Sequence, residues 1–118
     1  MELLFVNYPA CSTCRKAKQW LDDQGIAYTS RNIKQENPTY EELRAWQETS
    51  GLPLKKFFNT SGLLYKELGL KDKLPQMTQE EQLRLLASDG MLVKRPVIIG
   101  EGMVLLGFRE QEWAEKLL

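Results

Sequence analysis

The chain has 118 residues, enough for one domain with a single core and too few for two ordinary ones. Sixteen lysines and arginines balance sixteen acidic residues, so the formal net charge is zero. That balance argues against a protein that coats nucleic-acid phosphates or an anionic membrane, both of which call for a net positive field. No apolar run reaches the ~18 residues of a membrane span. The opening Met1-Glu2-Leu3-Leu4-Phe5-Val6-Asn7 is too short and lacks the basic lead of an export signal. A cytoplasmic protein is therefore expected, and in that compartment cysteines serve chemistry more often than permanent cross-linking.

Leu3 to Val6, ended by Asn7-Tyr8-Pro9, reads as a short buried strand. Ser12 to Gln24 has Ala17, Trp20 and Leu21 at helical spacing and Gly25 as a stop. Ile26 to Ile33 alternates loosely and is expected as a second strand. Thr39 and Glu42 form a capping-box signature ahead of Leu43 and Trp46, and Ser50-Gly51-Leu52-Pro53 ends that helix. Lys55 to Phe58 is a basic-then-aromatic step, read as a solvated flank of a buried aromatic pair or as a partner patch. Asn59-Thr60-Ser61-Gly62 opens a short helix through Leu68. Another helix begins at Met77-Thr78-Gln79-Glu80-Glu81, buries Leu83, Leu86 and Ala87, and stops at Asp89-Gly90. Pro96 to Ile99 and Met103 to Leu106 are hairpin strands around Gly100-Glu101-Gly102, and Glu110 to Leu118 is a closing helix. Trp20, Trp46 and Trp113 fall on apolar helix sides and are expected in the core.

This order, β-α-β, then helices, then β-β-α, is the thioredoxin-like arrangement: an α/β protein with a four-stranded mixed sheet flanked by helices. A single domain spanning residues 1–118 is expected, with a helical insertion at about 39–89.

Two cysteines carry the clearest chemical signal. Cys11 and Cys14 stand at i and i+3 at a strand-to-helix junction, on one face and near enough to bridge. Cys11 falls at a helix N-terminus, where unpaired N–H groups and the helix dipole favour a thiolate. Arg15 and Lys16 follow in the next turn and add positive charge. Cys14, one turn in, suits the resolving thiol that attacks a mixed disulfide on Cys11. Three other readings stand beside a redox pair. A structural zinc site wants four ligands, and the chain has no histidine and no third cysteine. A purely structural disulfide here closes too small a loop to stabilise much. The third is a pair of unreactive thiols.

Lys94-Arg95-Pro96 precedes the third strand. It reads either as two solvated charges before a strand that begins with proline, or as a cis Arg95–Pro96 turn. In a thioredoxin-like order that turn faces the cysteine, so Pro96 shapes the pocket and Arg95 steadies a thiolate or an oxyanion.

Taken together, Tyr8-Pro9-Ala10-Cys11-Ser12-Thr13-Cys14-Arg15-Lys16-Ala17, Phe58-Asn59-Thr60-Ser61-Gly62, Tyr65-Lys66-Glu67-Leu68-Gly69-Leu70 and Lys94-Arg95-Pro96 resemble the arsenate reductase (ArsC)/Spx family through nearly the whole chain. The resemblance implies a thioredoxin-like fold with a helical insertion and two branches of function. In glutaredoxin-type arsenate reductases a cysteine at the position of Cys11 attacks arsenate, and three arginines bind the oxyanion. Arg95 matches one of these. The second position falls on Asn59 and the third near Phe108 or Arg109, and Asn7 stands where the family has a histidine. That branch implies no bound cofactor or metal, and an external reductant: glutathione with glutaredoxin, or thioredoxin. The Spx-type regulators carry a switch like Cys11/Cys14 and bind the C-terminal domain of the RNA polymerase α subunit through a glycine whose counterpart is Gly51. The overall expectation is a monomeric thiol–disulfide oxidoreductase of the arsenate-reductase type, with Cys11 and Cys14 catalytic, Arg95 and Arg15 binding the anion, and no direct contact with nucleic acid or membrane. The alternative is a redox-sensing regulator of the Spx type.

Overall fold

In the computed structural model, which describes residues 2–118, the elements run β1 (Leu4–Asn7), α1 (Ser12–Asp23), β2 (Thr29–Asn32), α2 (Tyr40–Ser50), α3 (Leu63–Glu67), α4 (Leu70–Lys73), α5 (Gln79–Ser88), β3 (Val97–Gly100), β4 (Met103–Leu106) and α6 (Glu110–Leu117). Short 3-10 turns cover Leu54–Phe57, Leu74–Gln76 and Gly90–Leu92. The chain divides into two compact units, residues 2–32 with 95–118 and residues 33–94.

The first unit holds the whole sheet, ordered β2-β1-β3-β4. β1 pairs parallel with β2 and antiparallel with β3, and β3 pairs antiparallel with β4. This four-stranded mixed sheet with its helices is the thioredoxin-like fold. Leu3, Phe5, Ile98 and Leu105 meet Ala17, Trp20 and Leu21 of α1 and Trp113 of α6 in one apolar cluster. The alternation of strand side chains and the i, i+3, i+4 spacing on α1 put these residues on facing surfaces. Trp113 is fully buried, stacks edge-on against Phe5 and Trp20, and donates its indole N–H to the Gly107 carbonyl at 3.1 Å. Trp20 and Trp113 are therefore core residues.

β2 is shorter than the expected Ile26–Ile33, and its partner is the reason. β1 offers four residues, and Leu4 to Asn7 align with Thr29 to Asn32 one for one. The preceding Ile26 is drawn into the end of α1, its N–H donating to the Leu21 carbonyl at 3.0 Å. Gly25 ends that helix at φ +68°, a left-handed conformation that glycine adopts at little cost.

The second unit is helical. Thr39 and Thr78 each accept the backbone N–H of the glutamate three residues on, and Glu42 and Glu81 return a bond to the threonine N–H, so both capping boxes form in full. Leu43 and Trp46 of α2, and Leu83 and Leu86 of α5, are buried. The Lys55–Phe58 step is the 3-10 turn: Leu54, Phe57 and Phe58 are buried while Lys55 and Lys56 face solvent. The short helix expected through Leu68 is α3, and a further short helix, α4, follows it after Gly69 at φ +64°.

Candidate functional site

Cys11 ends the Tyr8-Pro9-Ala10 loop that leaves β1. Its N–H donates to the Tyr8 carbonyl at 3.0 Å, and its own carbonyl receives the Arg15 N–H at 3.0 Å, the first turn of α1. Cys11 is thus the N-cap, with extended φ −83° and ψ 123°, and no side chain caps this helix end. The first turn contains no acidic residue. Its N–H groups and the positive end of the dipole are therefore turned toward the sulfur without a carboxylate in between.

Cys14 lies one turn further in and is almost wholly buried, whereas Cys11 is partly open to solvent. Both are free thiols, so no disulfide joins them here. The Tyr8 N–H points at the Cys14 sulfur at 3.5 Å.

Arg95 reaches the same place from the other side of the sheet's centre. Val6 pairs opposite Val97 in the antiparallel β1–β3 register. Extending that register by two residues sets Tyr8 beside Arg95. The Arg95–Pro96 peptide is cis, Pro96 is buried, and its carbonyl accepts the Gly107 N–H at 2.8 Å. The guanidinium carbon of Arg95 lies 5.4 Å from the centre of the Tyr8 ring. Its Nε and Nη1 are buried and make no hydrogen bond among the described residues.

The two thiols are driven apart in acidity. Burial works to raise the Cys11 value, but the Cys14 backbone N–H, the Cys14 thiol, and the donor and charge of Arg95 outweigh it and hold Cys11 below an ordinary thiol. Burial pushes Cys14 up to about 12, and the neighbouring Cys11 adds to the rise, against the Tyr8 N–H and Arg95. The half-open sulfur is the one favoured as an anion, and the sealed one is kept protonated.

Arg15 and Lys16 are exposed on α1, and the cation that acts on Cys11 is Arg95. Asn7 is buried, with Nδ2 donating to the Phe5 carbonyl at 3.0 Å and to Ser30 Oγ at 2.9 Å, so it ties the end of β1 to β2. Phe108 packs at 4.8 Å edge-on to Trp113, and Arg109 is the exposed N-cap of α6. Asn59 and Gly51 belong to the second unit. The Asn59 N–H donates to the Leu92 carbonyl at 2.7 Å, and Gly51 caps α2 exposed at φ +67° with its N–H on the Gln47 carbonyl at 2.9 Å. Tyr8 is the residue of this site that sequence reasoning passed over. The only signal for it was its place three residues before Cys11, because its nearness to Arg95 depends on the register of strands far apart in the chain.

Among the described residues no group of three or more His, Cys, Asp or Glu side chains could hold a metal, and no helix is long and apolar enough to cross a membrane.

The sequence model of the ArsC family matches residues 6–116. The Bacillus subtilis protein YusI is 53% identical over 115 residues, covering 98% of each chain. The crystal structure of a possible arsenate reductase from Streptococcus mutans is 50% identical, covers 95% of this chain and 97% of that one, and superposes with a TM-score of 0.87. The global transcriptional regulator Spx of Staphylococcus haemolyticus is 31% identical over 113 residues, 95% of this chain and 83% of its own.

Proposed function

The chain belongs to the ArsC family, and from that premise we propose that it is a cytoplasmic thiol–disulfide oxidoreductase of the arsenate-reductase type. Cys11 is the nucleophile, Cys14 the resolving thiol, Arg95 the main anion contact with Arg15 further out, and Pro96 shapes the pocket. The observation that carries this reading is the contrast between the two sulfurs: Cys11 is held toward the thiolate by Cys14 and Arg95 against the pull of burial, while Cys14 stays a buried thiol.

The chemistry follows from that contrast. The Cys11 thiolate attacks one sulfur of a disulfide substrate, forming a mixed disulfide and releasing a thiolate that takes a proton from water. With Cys11 bonded, its negative charge no longer holds the Cys14 proton, whereas the Tyr8 N–H and Arg95 continue to favour a Cys14 thiolate. Cys14 then attacks the Cys11 sulfur and the second thiol leaves. The substrate has gained two electrons and two protons, and the protein holds a Cys11–Cys14 disulfide. An external thiol reductant, glutathione with glutaredoxin or thioredoxin, returns the two electrons. With arsenate, the same thiolate forms a sulfur–arsenic bond as one arsenate oxygen leaves as water after protonation, and Arg95 holds an anionic oxygen. Cys14 then attacks the Cys11 sulfur, the S–As electron pair leaves with arsenic as arsenite, and the Cys11–Cys14 disulfide carries the two-electron oxidation.

A redox titration against glutathione tests this reading. A Cys11/Cys14 potential within about −220 to −320 mV is expected, the range in which cytosolic thiols exchange. A pair that never forms a disulfide across that range, or turnover of neither disulfide nor arsenate with either reductant, contradicts it.

The 31% identity to Spx over 95% of this chain favours a second reading, a redox-sensing regulator that binds the C-terminal domain of the RNA polymerase α subunit. Gly51, exposed at the end of α2 with open space around its Cα, is then the contact. Pull-down with that domain, using reduced and oxidised protein and Gly51→Arg, separates the two readings. Binding that depends on Gly51 supports the regulator, and no binding in either redox state removes it.

A further inference from the structure

We propose that Tyr8 is a positioning residue of the Cys11 site, whose ring holds the Arg95 guanidinium with its charge on the Cys11 sulfur. This rests on the reading of Cys11 as the nucleophile and adds to it the device that keeps the cation in place.

Arginine carries several rotatable bonds, and ordering it beside a thiolate costs side-chain entropy unless something fixes the guanidinium plane. Oxygen acceptors usually do so. Here Nε and Nη1 are buried without a hydrogen-bond partner among the described residues. The group found against the guanidinium is the Tyr8 ring, 5.4 Å from its carbon, within the range where the negative face of an aromatic ring attracts a cation. A half-buried ring is well suited to this task, because it offers an apolar wall together with an electrostatic partner for a guanidinium whose Nε and Nη1 have no hydrogen-bond partner among the described residues.

The backbone of the same residue sets the other two members of the site. The Tyr8 carbonyl takes the Cys11 N–H at 3.0 Å, and the Tyr8 N–H faces the Cys14 sulfur at 3.5 Å. One residue therefore touches the nucleophile, the resolving thiol and the cation. A side-chain substitution leaves both backbone contacts in place, so it isolates the action of the ring on Arg95. The ring face and not the hydroxyl is at work, which makes Tyr8→Phe the conservative variant.

The test follows thiolate absorbance and iodoacetamide alkylation of reduced protein across pH for the wild type, Tyr8→Phe, Tyr8→Leu, Arg95→Ala and the Tyr8→Leu/Arg95→Ala pair. Tyr8→Leu is expected to move the Cys11 midpoint upward and to slow alkylation at pH 7 by about threefold to tenfold, the range that one cation–π contact supports. Tyr8→Phe restores the wild-type profile, and Tyr8→Leu adds nothing once Arg95 is gone. Tyr8→Met, which keeps the bulk without a ring, replaces Tyr8→Leu if that variant loses its fold. The proposal is overturned on its own if Arg95→Ala moves the midpoint and neither ring-less variant does, or if Tyr8→Leu slows alkylation equally with and without Arg95. A wild-type midpoint at that of a free thiol, unmoved by Arg95→Ala, overturns both this proposal and the reading of Cys11 as nucleophile.

Discussion

Two helices of the second unit and the first helix of the sheet unit begin in opposite ways. α2 and α5 each open on a complete capping box, with Thr39 and Glu42 or Thr78 and Glu81, and each carries two glutamates in its first turn. α1 opens on Cys11 with no side-chain cap and no acidic residue in that turn. In α2 and α5 the orphan N–H groups and the dipole are satisfied for stability. In α1 they are left for a sulfur, and the residues that follow, Arg15 and Lys16, are cationic where stability favours acids. The departure from the local rule coincides with the place where chemistry is proposed, as expected when a functional site is held at some cost to the surrounding fold.

That contrast can be attacked from either side. The largest effect is expected from Cys11→Ser, which removes the thiolate and abolishes formation of any mixed disulfide, read as loss of the adduct by mass spectrometry, while the helical circular dichroism signal is retained. Arg95→Ala comes next. It leaves the α1 dipole but removes the cation, and alkylation of Cys11 at neutral pH should slow about tenfold, as befits the loss of a charge-assisted contact. On the other side of the comparison, Thr78→Ala should lower unfolding free energy by about 0.5–2 kcal/mol in urea titrations, with Cys11 reactivity unchanged. The smallest change in stability belongs to Cys11→Asp, which gives α1 the cap it lacks and loses the thiolate as Cys11→Ser does. It is expected to raise stability by about 0.5–1 kcal/mol while eliminating thiol chemistry. A thermal midpoint that falls in this variant would break the comparison.

The same contrast has a pH signature in the reduced protein. The folded state favours the Cys11 thiolate more than the unfolded chain does. Stability relative to Cys11→Ser should therefore be unchanged at low pH, rise as pH passes the folded-state value, and level off above the ordinary thiol value of about 8.5. Cys14 acts with the opposite sign: pushed up to about 12, it favours the folded state as a thiol, and that advantage declines as pH rises from the ordinary thiol value toward its own. Urea unfolding between pH 5 and 9 compares the first of these directly.

Much of this was legible in the chain. The Thr-x-x-Glu boxes, the apolar spacing of Ala17, Trp20 and Leu21, and the Gly100-Glu101-Gly102 hairpin turn are local signals with local causes. The mixed sheet followed from the order of elements. What the residues alone did not show depends on pairing at a distance. β2 is limited to four residues because β1 offers only four partners, although Ile26 and Tyr28 have strand-forming side chains. Nearness in sequence favoured Arg15 and Lys16 as further cations beside Cys11, but they project into solvent; Arg95, which the order of elements had already set facing the cysteine, is brought in by the β1–β3 register. Tyr8 was hidden for the same reason, since a tyrosine before a proline says nothing of a guanidinium that approaches from 87 positions later in the chain.

The central claim is most directly tested by titrating the thiolate absorbance of the reduced protein between pH 4 and 10, with Cys11→Ser as the blank. Because burial pushes the Cys14 thiol up to about 12, the transition expected in that window is that of Cys11. A single transition with its midpoint below about 8.5, absent from Cys11→Ser, is the result expected; a midpoint at or above that value would contradict the account.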